Sequence, residues 1–242
     1  MKTFNALFKY HFITYLKTNK FVIPMIVWVT IMCISYSVKP VGVVSSFVIT
    51  AMCLFFIMLW ITFSYMDGID EVAEQLIILK TRKQSIYYLS KNIFLMLIGL
   101  FMSIMGVLLP IVGNFVNMFS LFNRELVMWD IFSALIIHVV FAILGCSLGT
   151  LFQPRCIKNR KIAIELAIFI AVISLVKVGI MQKVPEVKYI DWILPPTGEI
   201  QDCFNNKDIF YLSDIVKSML YGIIYSFVLN IINIEMLKRK LF

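Results

Sequence analysis

Apolar residues run through this chain in six long stretches, and the polar residues gather in the gaps. The stretches are Phe21 to Tyr36, Val41 to Tyr65, Asn92 to about Val112, Leu126 to Phe152, Ile162 to Met181, and Ser213 to about Glu235. A run near 20 apolar residues is long enough to cross the hydrocarbon core of a bilayer as a helix, so the pattern predicts six spans. The first is the shortest and is broken by Ser37-Val-Lys-Pro40; the second is long enough to tilt; Pro110 and Gly113 mark the end of the third. Ahead of the first run, Phe4, Leu7, Phe8, Phe12, Tyr15 and Leu16 recur at helical spacing, with Lys2, Lys9, Lys17 and Lys20 mostly between them. Residues 1–20 therefore read as a basic amphipathic helix lying in the membrane interface, or as a plain anchor that orients the first span. No small-residue cleavage site follows the first apolar run, so the start of the chain does not read as a cleavable signal.

Two gaps are long. Residues 66–91 form a dense polar block whose first half is helical in pattern, with Val72, Leu76 and Leu79 on one stripe and Glu71, Glu74 and Gln75 beside it. A short amphipathic helix with an exposed apolar ridge wants a groove on a partner. The second long gap, 182–212, exceeds the usual connection. It holds a short apolar piece from Tyr189 to Leu194, then Pro195 and Pro196, then the acids Glu199, Asp202 and Asp208. The piece is too short to span, while Tyr189 and Trp192 suit the membrane interface. A re-entrant or surface-lying hairpin is expected there, with Tyr189, Trp192, Pro195 and Pro196 acting as an outer gate; an ordinary ordered loop is the alternative.

Composition fits the pattern. Of 242 residues, 61% are hydrophobic and 15% charged, against roughly a quarter charged in ordinary globular domains. So few polar groups could not cover a soluble domain of this size. The fold class expected is an all-α polytopic membrane protein, one transmembrane domain over 1–242. Lys and Arg counts orient it: fifteen fall in the segments shared with the N-terminus and five in the alternate ones, which predicts both termini in the cytoplasm. That topology accounts for the net charge of +8 without nucleic acid. Few Arg among abundant Ile, Lys, Asn and Phe point to an AT-rich bacterium, hence a bacterial cell membrane.

Catalytic chemistry is missing from the sequence. His11 and His138 stand alone in the sequence, and His138, in an apolar span, reads as a packing residue. There is no HExxH, no Gly-x-x-x-x-Gly-Lys-Ser/Thr loop for ATP phosphates, and no Cys/His cluster for a metal. Asp67-Gly-Ile-Asp70 lacks the further aspartates of a phosphotransferase motif. Charges inside spans are functional suspects. Glu165 is expected to pair with Arg160 or Lys161, and Lys177 and Lys217, near outer ends, to snorkel or pair locally. Gly145-Cys-Ser-Leu-Gly149 allows close helix approach, either within one subunit or between two.

The 66–91 block resembles the ABC-2 type permeases, the membrane subunits of one class of ATP-driven transporter. The resemblance rests on Glu71-Val-Ala-Glu74-Gln75-Leu76, on Lys80-Thr81-Arg82, and on Tyr88-Leu-Ser-Lys91 leading straight into a span; Gln75 stands where the family frequently has glycine. It implies that Glu71, Glu74, Gln75, Leu76, Leu79, Thr81 and Arg82 couple to a separate ATPase. Two ATPase subunits and a second permease, identical or homologous, would complete the assembly. ATP and Mg would bind on the ATPase, with no cofactor on this chain. Export of amphipathic or antimicrobial peptides, or self-immunity to them, is the expected function. A non-transporting sensor or immunity protein that binds a ligand at its outer loop is the alternative, and an intramembrane enzyme is disfavoured by the lack of clustered His, Glu or Asp at membrane depth.

Overall fold

The computed structural model describes residues 2–81, 84–184, 186 and 191–239. Among them the chain is all-α, with an isolated bridge, Val41 to Phe122, as its only β pairing. The helices are α1 (Lys2–Lys17), α2 (Val22–Ser35), α3 (Val43–Met66), α4 (Glu71–Thr81), α5 (Gln84–Val116), α6 (Met128–Leu151), α7 (Arg160–Lys183), α8 (Thr197–Cys203) and α9 (Leu212–Arg239).

Five of these, α3, α5, α6, α7 and α9, are long and apolar enough to cross a membrane. The first run, Phe21 to Tyr36, passes as a span only in combination. Helix α2 has 14 residues, about 21 Å at the helical rise, short of the roughly 30 Å hydrocarbon core. It is joined to α1 through a bend of 77°. Asn19 turns the chain there with a left-handed φ of 52°, a conformation Asn tolerates through its short polar side chain. Helix α5 errs in the other direction. Its 33 residues extend about 50 Å, so it begins well before its apolar run and carries the polar stretch Gln84 to Lys91 as its first turns.

Helices α3 and α6 form the core. A Cβ on Gly145 would overlap the carbonyl oxygen of Phe55, and one on Gly149 would lie 2.8 Å from Cβ of Thr62. The small-residue pair thus lets two spans of one subunit touch backbone to backbone, the first of the two roles expected for it. Gly222 brings the α9 backbone against the Val140 side chain of α6, which a Cβ there would overlap. Around this core α2, α5, α7 and α9 turn large apolar side chains outward, Ile26, Phe101, Phe169 and Phe227 among them. A belt of that kind is stable with lipid rather than water as its solvent. The protein is a membrane protein.

Contacts sort the loops into two ends. At one end the bridge at Val41 (N–H to Leu121 O, 2.9 Å) joins the α2–α3 and α5–α6 connections. Arg124 there clasps Asp130 at 2.6 and 2.7 Å, and the Trp129 indole donates to the Phe210 carbonyl at 2.8 Å. The opposite end gathers α1, α4, the start of α5, the α6–α7 connection and the end of α9, with Leu7, Ile78, Tyr87, Tyr88 and Leu237 in one apolar cluster. The segments read from the sequence as sharing a side therefore do meet at one end.

Candidate functional site

Helix α4 sits at that second end, outside the apolar belt. Its start follows from local chemistry: the Asp70 carboxylate accepts the Ala73 N–H at 3.1 Å, as an N-cap does, and Glu71 and Glu74 in the first turn favour the positive end of the helix dipole. Asp67 serves in the same corner, paired with Arg160 at 3.1 Å and Lys20 at 3.8 Å. The two aspartates that resembled a metal motif are thus a cap and a clamp.

The two faces of α4 differ sharply. Val72, Leu76 and Leu79 are exposed by 62%, 62% and 70%. They form the ridge read from the sequence, with Glu71 exposed and Gln75 half-buried beside it. Glu74 does not accompany them. It points into the protein at 5% exposure, because its carboxylate is the centre of a buried ion cluster. Its Oε1 lies 3.2 Å from Nζ of Lys91 on α5, and its Oε2 lies 3.6 Å from Nε of Arg155 beyond α6. Lys91 also donates to Oε1 of Gln153 at 3.3 Å, and Gln153 in turn donates to Oδ1 of Asn233 on α9 at 2.9 Å. Arg155 donates to the Tyr88 hydroxyl at 2.6 Å. One turn deeper, Asn92 bonds Asn230 at 2.8 Å and Asn230 bonds Ser147 at 2.9 Å. Helix α4 is thereby fastened to α5, to the α6–α7 connection and, through Gln153, to α9, by charged and amide groups that have little access to water.

The other expected site residues are distributed as follows. Thr81 spends its hydroxyl on the Ile77 carbonyl of its own helix at 2.6 Å; Arg82 lies outside the described residues. Glu165 is exposed on α7 and, among the described residues, does not form the ion pair expected with Arg160 or Lys161; Arg160 pairs with Asp67 instead. Lys217 is exposed on α9. Lys177 pairs locally and does not snorkel: its buried ammonium holds Asp191 at 2.8 Å and Glu199 at 2.6 Å, fixing the segment 191–199 to α7. Burial pushes the Glu199 carboxyl above the usual carboxylate range, against the pull of Lys177. That segment is a 3-10 turn, Asp191–Ile193, followed by α8. Trp192 projects outward at 77% exposure, Pro195 is buried and Pro196 half-buried; Tyr189 lies outside the described residues. Thr197 bonds Ser174 at 2.8 Å and Ile200 is fully buried, so α8 is a packed helix wedged between α7 and α9.

The histidines are both satisfied. His138 bonds the Ala134 carbonyl at 2.8 Å and Thr50 at 3.2 Å, the packing role expected of it. His11, without a partner in the sequence pattern, bonds Tyr65 at 2.7 Å and Ser90 at 3.1 Å, which seats α1 on α3 and α5. No group of three or more His, Cys, Asp or Glu able to hold a metal occurs among the described residues. Sequence reasoning missed Arg155, Gln153, Asn230 and Asn233. The available signal was the presence of neutral amides in otherwise apolar runs, since such groups tend to bond across helices.

No protein-family model, curated protein or solved structure matches this chain.

Proposed function

We propose that the chain is the membrane-spanning subunit of an ATP-binding-cassette exporter of the ABC-2 type, driven by a separate ATPase that docks on α4. One observation carries the reading. Helix α4 leaves an apolar ridge uncovered on its outer face, while its inner face is locked to α5, the α6–α7 connection and α9 through Glu74, Lys91, Gln153 and Arg155. An exposed ridge of Val72, Leu76 and Leu79 is unfavourable in water and is complete only with a groove to enter. A helix fastened in this way moves as one body with the spans beneath it. Closure of an ATPase pair on the ridge would tilt α5 and α9 against the α3–α6 core.

In this reading α1 is the interfacial helix and α2, continuing from it, is the first of six spans; both termini are cytoplasmic, and the membrane is that of a bacterial cell. Two copies, or one copy and a homologue, would join two ATPase chains that bind ATP and Mg. The cargo class favoured is amphipathic or antimicrobial peptides, carried outward as secretion or as self-immunity.

Two expected results test it. With the five native cysteines replaced, Asn205→Cys should react with an impermeant maleimide on intact cells, and Lys158→Cys only after permeabilisation; both positions are exposed. The reverse labelling contradicts the topology. Affinity-purified from its own cells in mild detergent, the chain should bring down a second protein that hydrolyses ATP. Purification alone, at full yield, contradicts the assembly.

A further inference from the structure

A groove of about 630 Å³ runs between α9 and the segment 191–199. One wall is the outward face of α9, with Leu220, Ile224, Val228 and Ile232 and the rings of Tyr221 and Tyr225. Trp192, Ile193 and Leu194 form the other, held to α9 by the Tyr225 hydroxyl donating to the Ile193 carbonyl at 2.6 Å. The volume is in the range of sites for small organic molecules, roughly 300–1,000 Å³. From Leu220 to Ile232 the apolar wall extends about 18 Å along the helix, and its side chains belong to the lipid-facing belt. The groove therefore opens sideways into the bilayer.

Its polar end is asymmetric. Lys177, Asp191 and Glu199 line it, two carboxylates to one ammonium, and no other cationic residue among the described residues does. The acids keep partial exposure where the base does not: the side chains of Asp191 and Glu199 are 27% and 25% exposed, that of Lys177 only 2%, with Asp191 Oδ1 and Glu199 Oε2 turned inward. The ammonium is held from behind by the Leu194 carbonyl at 3.4 Å. A ligand in the groove thus meets apolar walls, three aromatic rings and a surplus negative charge. Beside a low-dielectric wall such a charge attracts a cation more strongly than it would in water, and Trp and Tyr faces add cation–π attraction.

We propose that this groove binds amphipathic cations: molecules with an amine or guanidinium at one end and an apolar chain behind it, entering from the lipid. The charged end sits against Asp191 and Glu199, and the apolar part lies along α9. The ligand class follows from the walls of the groove; service as a cargo site rests on the export reading above.

The test uses the full chain alone, in nanodiscs of neutral phosphatidylcholine, titrated with dodecylamine or with dodecanol. Both carry the same tail and only the first is charged at neutral pH. Binding is read as the change in the part of the tryptophan emission that Trp192→Phe removes. Dodecylamine should saturate at least about tenfold more tightly than dodecanol, the scale of one charge-assisted contact. Asp191→Asn with Glu199→Gln should erase that preference and leave dodecanol unchanged. Equal affinity for the two probes on the unaltered chain overturns the proposal, whether or not the double variant inserts. A preference that survives in the double variant overturns it as well. The ATPase is absent from this experiment, so its outcome and that of the co-purification fail independently.

Discussion

Replacing Glu74 with alanine should destabilise the protein by about 3–5 kcal/mol, the cost of leaving buried charge without its partner. The carboxylate lies against both Nζ of Lys91 and Nε of Arg155. Lys91, 1% exposed, is left as a buried ammonium without its carboxylate once the acid is gone. Glu74→Gln should cost less, because an amide oxygen still accepts from Lys91. Lys91→Met combined with Glu74→Gln should be milder than either single change, since it removes the second charge of a coupled pair. Thermal unfolding in detergent, followed by loss of the monodisperse species, ranks the four variants. Single changes that all fall within about 0.5 kcal/mol of the parent, the ordinary range for a surface site, would show that the cluster is solvated and that α4 is not fastened to the spans.

The other large effect is expected at Gly145. Even alanine there drives Cβ into the Phe55 carbonyl oxygen, with Cβ of Met58 at 3.1 Å and the Leu59 nitrogen at 3.2 Å on either side. Two of the three obstacles are backbone and cannot rotate away, so α3 and α6 must separate. Overpacking of this kind costs about 1–3 kcal/mol, and Gly145→Val should exceed the alanine change. Gly179 on α7 is the matched control. A Cβ there meets nothing within 4 Å, and Gly→Ala in an exposed helix should stabilise by up to about 1 kcal/mol. Opposite signs at two helical glycines are the expected result; equal shifts would mean that the α3–α6 contact is looser than its geometry.

Much of this architecture was legible before any coordinates. Apolar runs located the spans because burial in lipid demands continuous apolar length, and Gly145-x-x-x-Gly149 announced a close helix pair. The ridge on α4 was readable because Val72, Leu76 and Leu79 keep helical period. Boundaries were less so. Helix α5 begins at Gln84 although its apolar run begins at Asn92, because the end of a helix and the edge of a membrane are different boundaries. Helix α8 has seven residues, too few for a period to register. The interior of the site was hidden for a physical reason. Glu74 beside an apolar stripe reads as a solvated flank, and only the folded chain brings Lys91, Gln153, Arg155 and Asn233 to it from separate segments. Lys177 was readable only as far as two alternatives, snorkelling or local pairing, and the fold selects pairing by bringing Asp191 and Glu199 to it from a later segment.

The central claim is that the ridge of α4 is a docking surface whose inner face is fastened to the spans. Its most direct measurement is the yield of ATPase recovered with tagged Leu76→Asp, compared with the parent chain at equal membrane abundance. Leu76 is exposed and outside the apolar belt, so the variant should insert and melt like the parent. A carboxylate forced into an apolar groove should cost the complex about 3–5 kcal/mol, enough to abolish co-purification and cargo-stimulated ATP hydrolysis together. Full recovery of the ATPase with Leu76→Asp, and unchanged stimulation, would contradict the account.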